Sequence, residues 1–134
     1  MKLRVGRVIA GAMACAAVTL VVSAGNASAE ETPGISWDHV FSAEGVRVYV
    51  EEHGDIISVC DTKANGHSAV VQVRATDVWP YNYEMRVTAG NGSCKTHRAS
   101  DGATYNLTEG REVDLWFDGN GGTFDGSAGF TNDH

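Results

Sequence analysis

The chain has 134 residues, with 17 acidic against 10 basic side chains and a formal net charge of −7. That length predicts one ordinary domain with a modest core and no second domain. An acidic surface repels phosphate backbones, and no basic stripe with interleaved aromatics is present, which argues against nucleic-acid binding and against anionic membranes.

Lys2, Arg4 and Arg7 precede an apolar run from Val8 to Val22, and Ala27-Ser28-Ala29 closes the following segment as a small-residue cleavage site. The pattern predicts a cleavable signal peptide over 1–29, a mature chain from Glu30 and secretion to the extracellular space. The apolar core is about 15 residues, short of the ~20 needed to span a bilayer, so no membrane anchor is expected after cleavage. Cleavage leaves seven basic residues against seventeen acidic ones, a net charge of −10. Cys15 leaves with the signal, and Cys60 and Cys94 are then the remaining thiols in an oxidising compartment. They are expected to pair, worth ~3–4 kcal/mol in the chain-entropy view. A metal site on the two cysteines lacks both Cys-x-x-Cys spacing and a histidine pair, and neither a metal nor a cofactor is expected.

After Pro33 the apolar residues alternate with a period of two rather than 3.6, which predicts strands. Ile35 to Phe41 is a candidate strand with Ile35, Trp37 and Phe41 on one face. Val46 to Val50 follows, and Asp55 to Cys60 pairs with it through a His53-Gly54-Asp55 turn. Ser68 to Thr76 and Tyr81 to Thr88 alternate most regularly. Gly90-Asn91-Gly92-Ser93 is a turn leading into Cys94, and Ser100-Asp101-Gly102 is another. Thr104 to Thr108 and Glu112 to Phe117 flank Glu109-Gly110 as a hairpin, and the Gly-rich stretch from Gly119 to His134 holds a weak edge strand with Phe124 and Phe130. About seven short, evenly spaced strands predict an all-β fold, an antiparallel immunoglobulin-like sandwich with one disulfide. A small barrel is the alternative. The expected partition is signal peptide 1–29, extended N-terminal segment 30–45 and sandwich domain 46–134.

No constellation reaches the level of an active site, and no enzyme is expected. Asp61, His67 and Ser68 lie close in sequence, but no nucleophile elbow accompanies them, and Asn65-Gly66 reads as a turn between strands. His39, His53, His67 and His97 fall in four segments without ligand spacing and read as exposed or hydrogen-bonded side chains. Asp118-Gly119-Asn120 opens like a calcium loop, but Thr123 stands where that loop needs glycine, so it reads as a flexible turn. Two candidates for partner binding remain. Trp116 falls on the outward register of its strand, opposite Val113, Leu115 and Phe117, and reads either as a binding anchor, since large amphipathic rings dominate binding hot spots, or as the second face of its strand packed under a loop. The N-terminal segment, with Ile35, Trp37 and Phe41, is either an edge strand of its own domain or a strand donated to another chain.

Val59-Cys60-Asp61, Asn65-Gly66-His67, Cys94 and the run Leu107 to Leu115, Leu-Thr-Glu-Gly-Arg-Glu-Val-Asp-Leu, together resemble a group of small actinobacterial secreted proteins with one disulfide. Within that group the layout is similar to the small adaptor subunit of umbrella toxin particles. The resemblance implies an immunoglobulin-like sandwich whose N-terminal segment inserts into a repeat of a large toxin scaffold, its other face carrying a lectin-bearing subunit. The expected function is therefore a non-catalytic protein-interaction module with an extracellular protein partner. A small hydrolase inhibitor and a carbohydrate-binding module are the alternatives, a glycan being the ligand of the latter.

Overall fold

The computed structural model of the chain describes residues 34–134; the expected signal peptide and the first residues of the N-terminal segment lie outside them. The described residues form eight strands: β1 His39–Ala43, β2 Val46–Glu51, β3 Ile56–Asp61, β4 Ala69–Ala75, β5 Tyr83–Val87, β6 Cys94–His97, β7 Arg111–Asp118 and β8 Gly126–Asn132. They make two four-stranded sheets, ordered β1-β2-β3-β6 and β5-β4-β7-β8, and every pairing is antiparallel. Without β1, the order β2-β3-β6 facing β5-β4-β7-β8, with crossings between sheets after β3, β5 and β6, has the Greek-key character of an immunoglobulin-like sandwich.

The sequence dictates this through β-branched residues at alternate positions. These suit the pleated surface and lose helical freedom at χ1. Val46, Val48, Val50, Ile57 and Val59 supply the inner face of the first sheet, and Val71, Val73, Met85, Val113, Leu115 and Phe117 that of the second. All are at most 2% exposed.

Two expectations are corrected. The boundary drawn between 45 and 46 is not one: β1 pairs with β2 from His39↔Val50 to Ala43↔Val46, so the sandwich begins with the supposed separate segment. Residues 104–108 are not a strand; two 3-10 turns, Ala99–Asp101 and Ala103–Tyr105, carry the crossing, and β7 pairs with β4 and β8 instead. The alternation there has another cause, since Tyr105 packs edge-on against Tyr83 and Leu107 enters the core. The edge strand expected in the Gly-rich tail is present, seven residues long with Phe130 in the core, while Phe124 lies before it and stays exposed.

A buried polar knot closes one end of the sandwich. Asp55, at the β2–β3 turn and 4% exposed, accepts the Leu107 amide at 2.8 Å on one oxygen and the Asn132 side-chain amide at 2.9 Å on the other. Burial raises its pKa above the ordinary carboxylate value, against the lowering effect of those two donors. A raised folded-state pKa means that the folded chain holds this proton where the unfolded chain has released it. The stabilisation is thus fully present below the unfolded value and declines as pH rises through the folded one. Asp55→Asn leaves one acceptor oxygen for two donors, the Leu107 amide and the Asn132 side-chain amide, and is expected to cost about 1–3 kcal/mol. Denaturant unfolding between pH 7 and pH 4 checks the sign: the gap between wild type and variant should widen on acidification.

Candidate binding surface

The outer face of the second sheet follows from the same alternation. β4 turns Gln72 and Arg74 outward, β7 turns Asp114 and Trp116 outward, and the register sets Gln72 opposite Trp116 and Arg74 opposite Asp114. Arg74 Nη2 donates to Asp114 Oδ2 at 2.8 Å, with each side chain about three-quarters covered (24% and 27% exposed). The Arg74 guanidinium carbon lies 4.6 Å from the centre of the Trp116 ring and 5.9 Å from that of Trp79. One cation is therefore bracketed by two indoles, each contact worth roughly 0.5–1 kcal/mol at a partly exposed site. Arg74 Nε is buried and has no hydrogen-bond partner among the described residues.

Trp79 stands on the β4–β5 loop and is 85% exposed, with Tyr81 exposed beside it. The loop is tied at both ends. Thr76 N–H donates to the Glu112 carbonyl at 3.0 Å, Val78 N–H to the Ala75 carbonyl at 2.9 Å, and Asn82 N–H to the Val73 carbonyl at 2.8 Å. The Asn82 side-chain oxygen accepts the Ala75 amide at 2.7 Å, and the Trp79–Pro80 peptide is cis. On the far side of Trp116, β8 offers only small residues: Ser127 is paired with Trp116 and Gly129 with Asp114. A shallow depression lined by Asp114, Trp116, Ser127 and Gly129 results. The surface thus combines a loop-borne indole, a half-buried indole with open space on one side, and a fixed ion pair between them. Such a surface can stack on and hydrogen-bond to a ligand without reorganising.

Trp116 is outward, as the alternation predicts. The other expected contact residues lie on the opposite side of the sandwich, and they do not share one face. Phe41 pairs with Val48 and packs on the core. Trp37 lies 5.3 Å from Tyr49 over the outer face of the first sheet, in a cluster with Cys60 and Cys94, and Ile35 is half-buried. The cause is that Trp37 precedes β1, so the alternation counted from Phe41 does not extend to it. The disulfide Cys60–Cys94 forms, and it joins the neighbouring strands β3 and β6 of one sheet rather than bridging the two sheets.

Asp61, His67 and Ser68 make no hydrogen bond to one another among the described residues. Asp61 accepts the Lys63 amide at 3.0 Å, Asn65 accepts the His67 amide at 3.0 Å, and Gly66 takes a left-handed φ of 78°, as a turn requires. Asp118 caps its own loop by accepting the amides of Asn120 and Gly121 at 3.3 and 3.0 Å. Trp79 had no periodic signal to mark it. The available clue was a large ring beside proline between two strong strands, where core packing gives it no reason to be.

No protein family and no curated protein matches the chain. Among solved structures, it is similar to a DUF3244 family protein with an immunoglobulin-like β-sandwich fold from Bacteroides vulgatus, at 11% identity over 69% of this chain and 93% of that one, with a TM-score of 0.45. It is also similar to part of an endonuclease/exonuclease/phosphatase from Beutenbergia cavernae, at 15% identity over 64% of this chain and 22% of that one, with a TM-score of 0.37.

Proposed function

We propose that this protein is a secreted, non-catalytic interaction module that takes an extracellular protein partner on the outer face of its second sheet. The observation that carries the reading is Trp79, an indole 85% exposed at the tip of a loop tied by hydrogen bonds at both ends. A large apolar ring held in water at that exposure contributes little to folding, whereas Trp, Tyr and Arg are the residues that anchor protein interfaces. Trp79, Tyr81, Arg74 and Trp116 bring all three types into one patch. An adaptor within a larger particle, such as the umbrella toxins the sequence resembles, is the specific form of this reading. Its support is that resemblance. A second reading is a glycan ligand, favoured by two indoles flanking a charged pair, which suits the apolar face and hydroxyl rim of a sugar ring.

The test compares wild type with Trp79→Ala, whose side chain leaves no cavity. Untagged protein is immunoprecipitated from native culture supernatant and tested in parallel on insoluble polysaccharides. One protein recovered in stoichiometric amount with wild type, and reduced more than tenfold with Trp79→Ala, is the expected result. Loss confined to a polysaccharide would select the glycan reading. Equal recovery by both forms overturns this surface, and a wild type that binds neither class overturns the interaction module.

A further inference from the structure

At the edge where β1, the end of β2 and the residues after β8 meet, three of the chain's five histidines come together. They gather around Glu52, whose side chain is only 9% exposed. His39 Nε2 holds one Glu52 oxygen, and the Glu52 backbone amide donates to Asp38 Oδ2 at 2.9 Å, so the side chain is oriented by His39 while its main chain is held by Asp38. The other oxygen faces His134 Nε2 at 3.8 Å, too long for a hydrogen bond, and the same nitrogen is 3.5 Å from Asp133 Oδ1. Glu52, Asp133 and His134 can bring one ligand atom each within 4.8 Å of the others. The His53 ring stacks on His134 at 4.1 Å and limits its rotation.

We infer that Glu52, Asp133 and His134 form a binding site for Zn²⁺, with His39 as the partner that orients the Glu52 carboxylate. Zinc takes nitrogen and oxygen donors at about 2.0–2.2 Å in a tetrahedron, whose edges are then about 3.4 Å. The two separations at His134 Nε2, 3.8 Å to Glu52 and 3.5 Å to Asp133, approach that value, and all three donors lie within 4.8 Å of one another. The Glu52 oxygen turned toward His134 belongs to a side chain only 9% exposed and stands 3.8 Å from the imidazole nitrogen, a gap that a shared cation can bridge. An imidazole donor disfavours calcium and magnesium, which take oxygen ligands. The orienting histidine on the second carboxylate oxygen matches the outer support that metal ligands commonly need. Because Glu52 follows β2 of the first sheet and Asp133-His134 follow β8 of the second, the ion would clip the two sheets together.

The test is calorimetric titration of untagged, chelator-treated and desalted protein with zinc chloride, together with thermal unfolding. One saturable site per chain at micromolar zinc and an unfolding midpoint several degrees higher are expected, with no response to calcium. His134→Ala alters an exposed position at the end of β8's extension and should weaken binding more than tenfold with the zinc-free melt unchanged. Glu52→Gln should weaken binding likewise, with a lower zinc-free melt from the lost His39 pairing, and His67→Ala, which removes an imidazole elsewhere, should leave zinc binding unchanged. Absence of saturable binding up to millimolar zinc, full binding by His134→Ala, or equal weakening by His67→Ala would each overturn the site.

Discussion

Replacing Cys60 and Cys94 together by alanine should lower the stability of the sandwich by about 3–4 kcal/mol. The two residues are direct partners in the β3–β6 ladder, but 34 residues separate them along the chain, and that path crosses to the other sheet to build β4 and β5. In the unfolded chain the crosslink removes the freedom of that whole excursion. In the folded chain, β6 is a four-residue edge strand, held otherwise by its ladder and by the Thr96 hydroxyl donating to Ser58 Oγ at 2.8 Å. The substitution also uncovers a packed site, since Cys60 is fully buried and shares a cluster with Tyr49 and Trp37. Urea unfolding of the double variant beside the reduced wild type checks both contributions. The two should agree within about 1 kcal/mol if chain entropy dominates. A variant markedly less stable than the reduced wild type assigns the excess to packing beneath Trp37. A loss below about 1 kcal/mol would mean that the ladder alone secures β6.

The strands that face the core on one side and water on the other were legible, because burial there imposes a strict period of two. β2, β4 and β5 follow from Val46-Arg47-Val48, from Val71-Gln72-Val73 and from Tyr83-Glu84-Met85. Legibility failed where a residue's partner came from far along the chain. Residues 104–108 alternate like a strand because Tyr105 meets Tyr83 and Leu107 meets the core, each through a turn rather than a ladder. Trp37 appeared to continue the face of Phe41, yet it packs on Tyr49 on the other side of the sheet. β8 was faint because its glycines and small residues pack against β7 without needing bulk: Gly126 lies opposite Phe117, and a Cβ there would stand 2.1 Å from that ring.

The candidate surface divides in the same way. Trp116 was readable from the outward register of β7, since that depends only on neighbours two residues apart. Arg74 and Trp79 were not, because pairing Arg74 with Asp114 needs the β4–β7 register across 40 residues. The histidine cluster has the same character. His39, His53 and His134 are brought together by the meeting of both sheets' edges, which no spacing along the chain encodes.

The second large effect is expected where the two sheets touch backbone to backbone. Gly45, in the β1–β2 turn with φ of +76°, lies against Gly119 in the β7–β8 loop, so close that a Cβ on Gly45 would stand 2.4 Å from the Gly119 carbonyl oxygen. A Cβ on Gly119 would meet the Gly45 carbonyl carbon at 2.2 Å. Neither clash falls on the far end of a flexible side chain. The loop cannot simply retreat, because the Gly119 carbonyl accepts the Asn65 side-chain amide at 2.8 Å and the Gly45 carbonyl accepts the Thr62 amide at 3.1 Å. Gly119→Ala should therefore cost about 2–4 kcal/mol through overpacking and displaced backbone. Gly45→Ala should cost about 1 kcal/mol more, because alanine also resists a left-handed φ. Gly122→Ala, three residues along in open space, should stay within about 0.5 kcal/mol of wild type. Denaturant unfolding of the single and double variants decides whether the contact itself is responsible. Once one Cβ has parted the two backbones, the second finds room, so the double variant should fall short of the sum by at least about 1 kcal/mol. Strict additivity would instead assign each cost to its own turn.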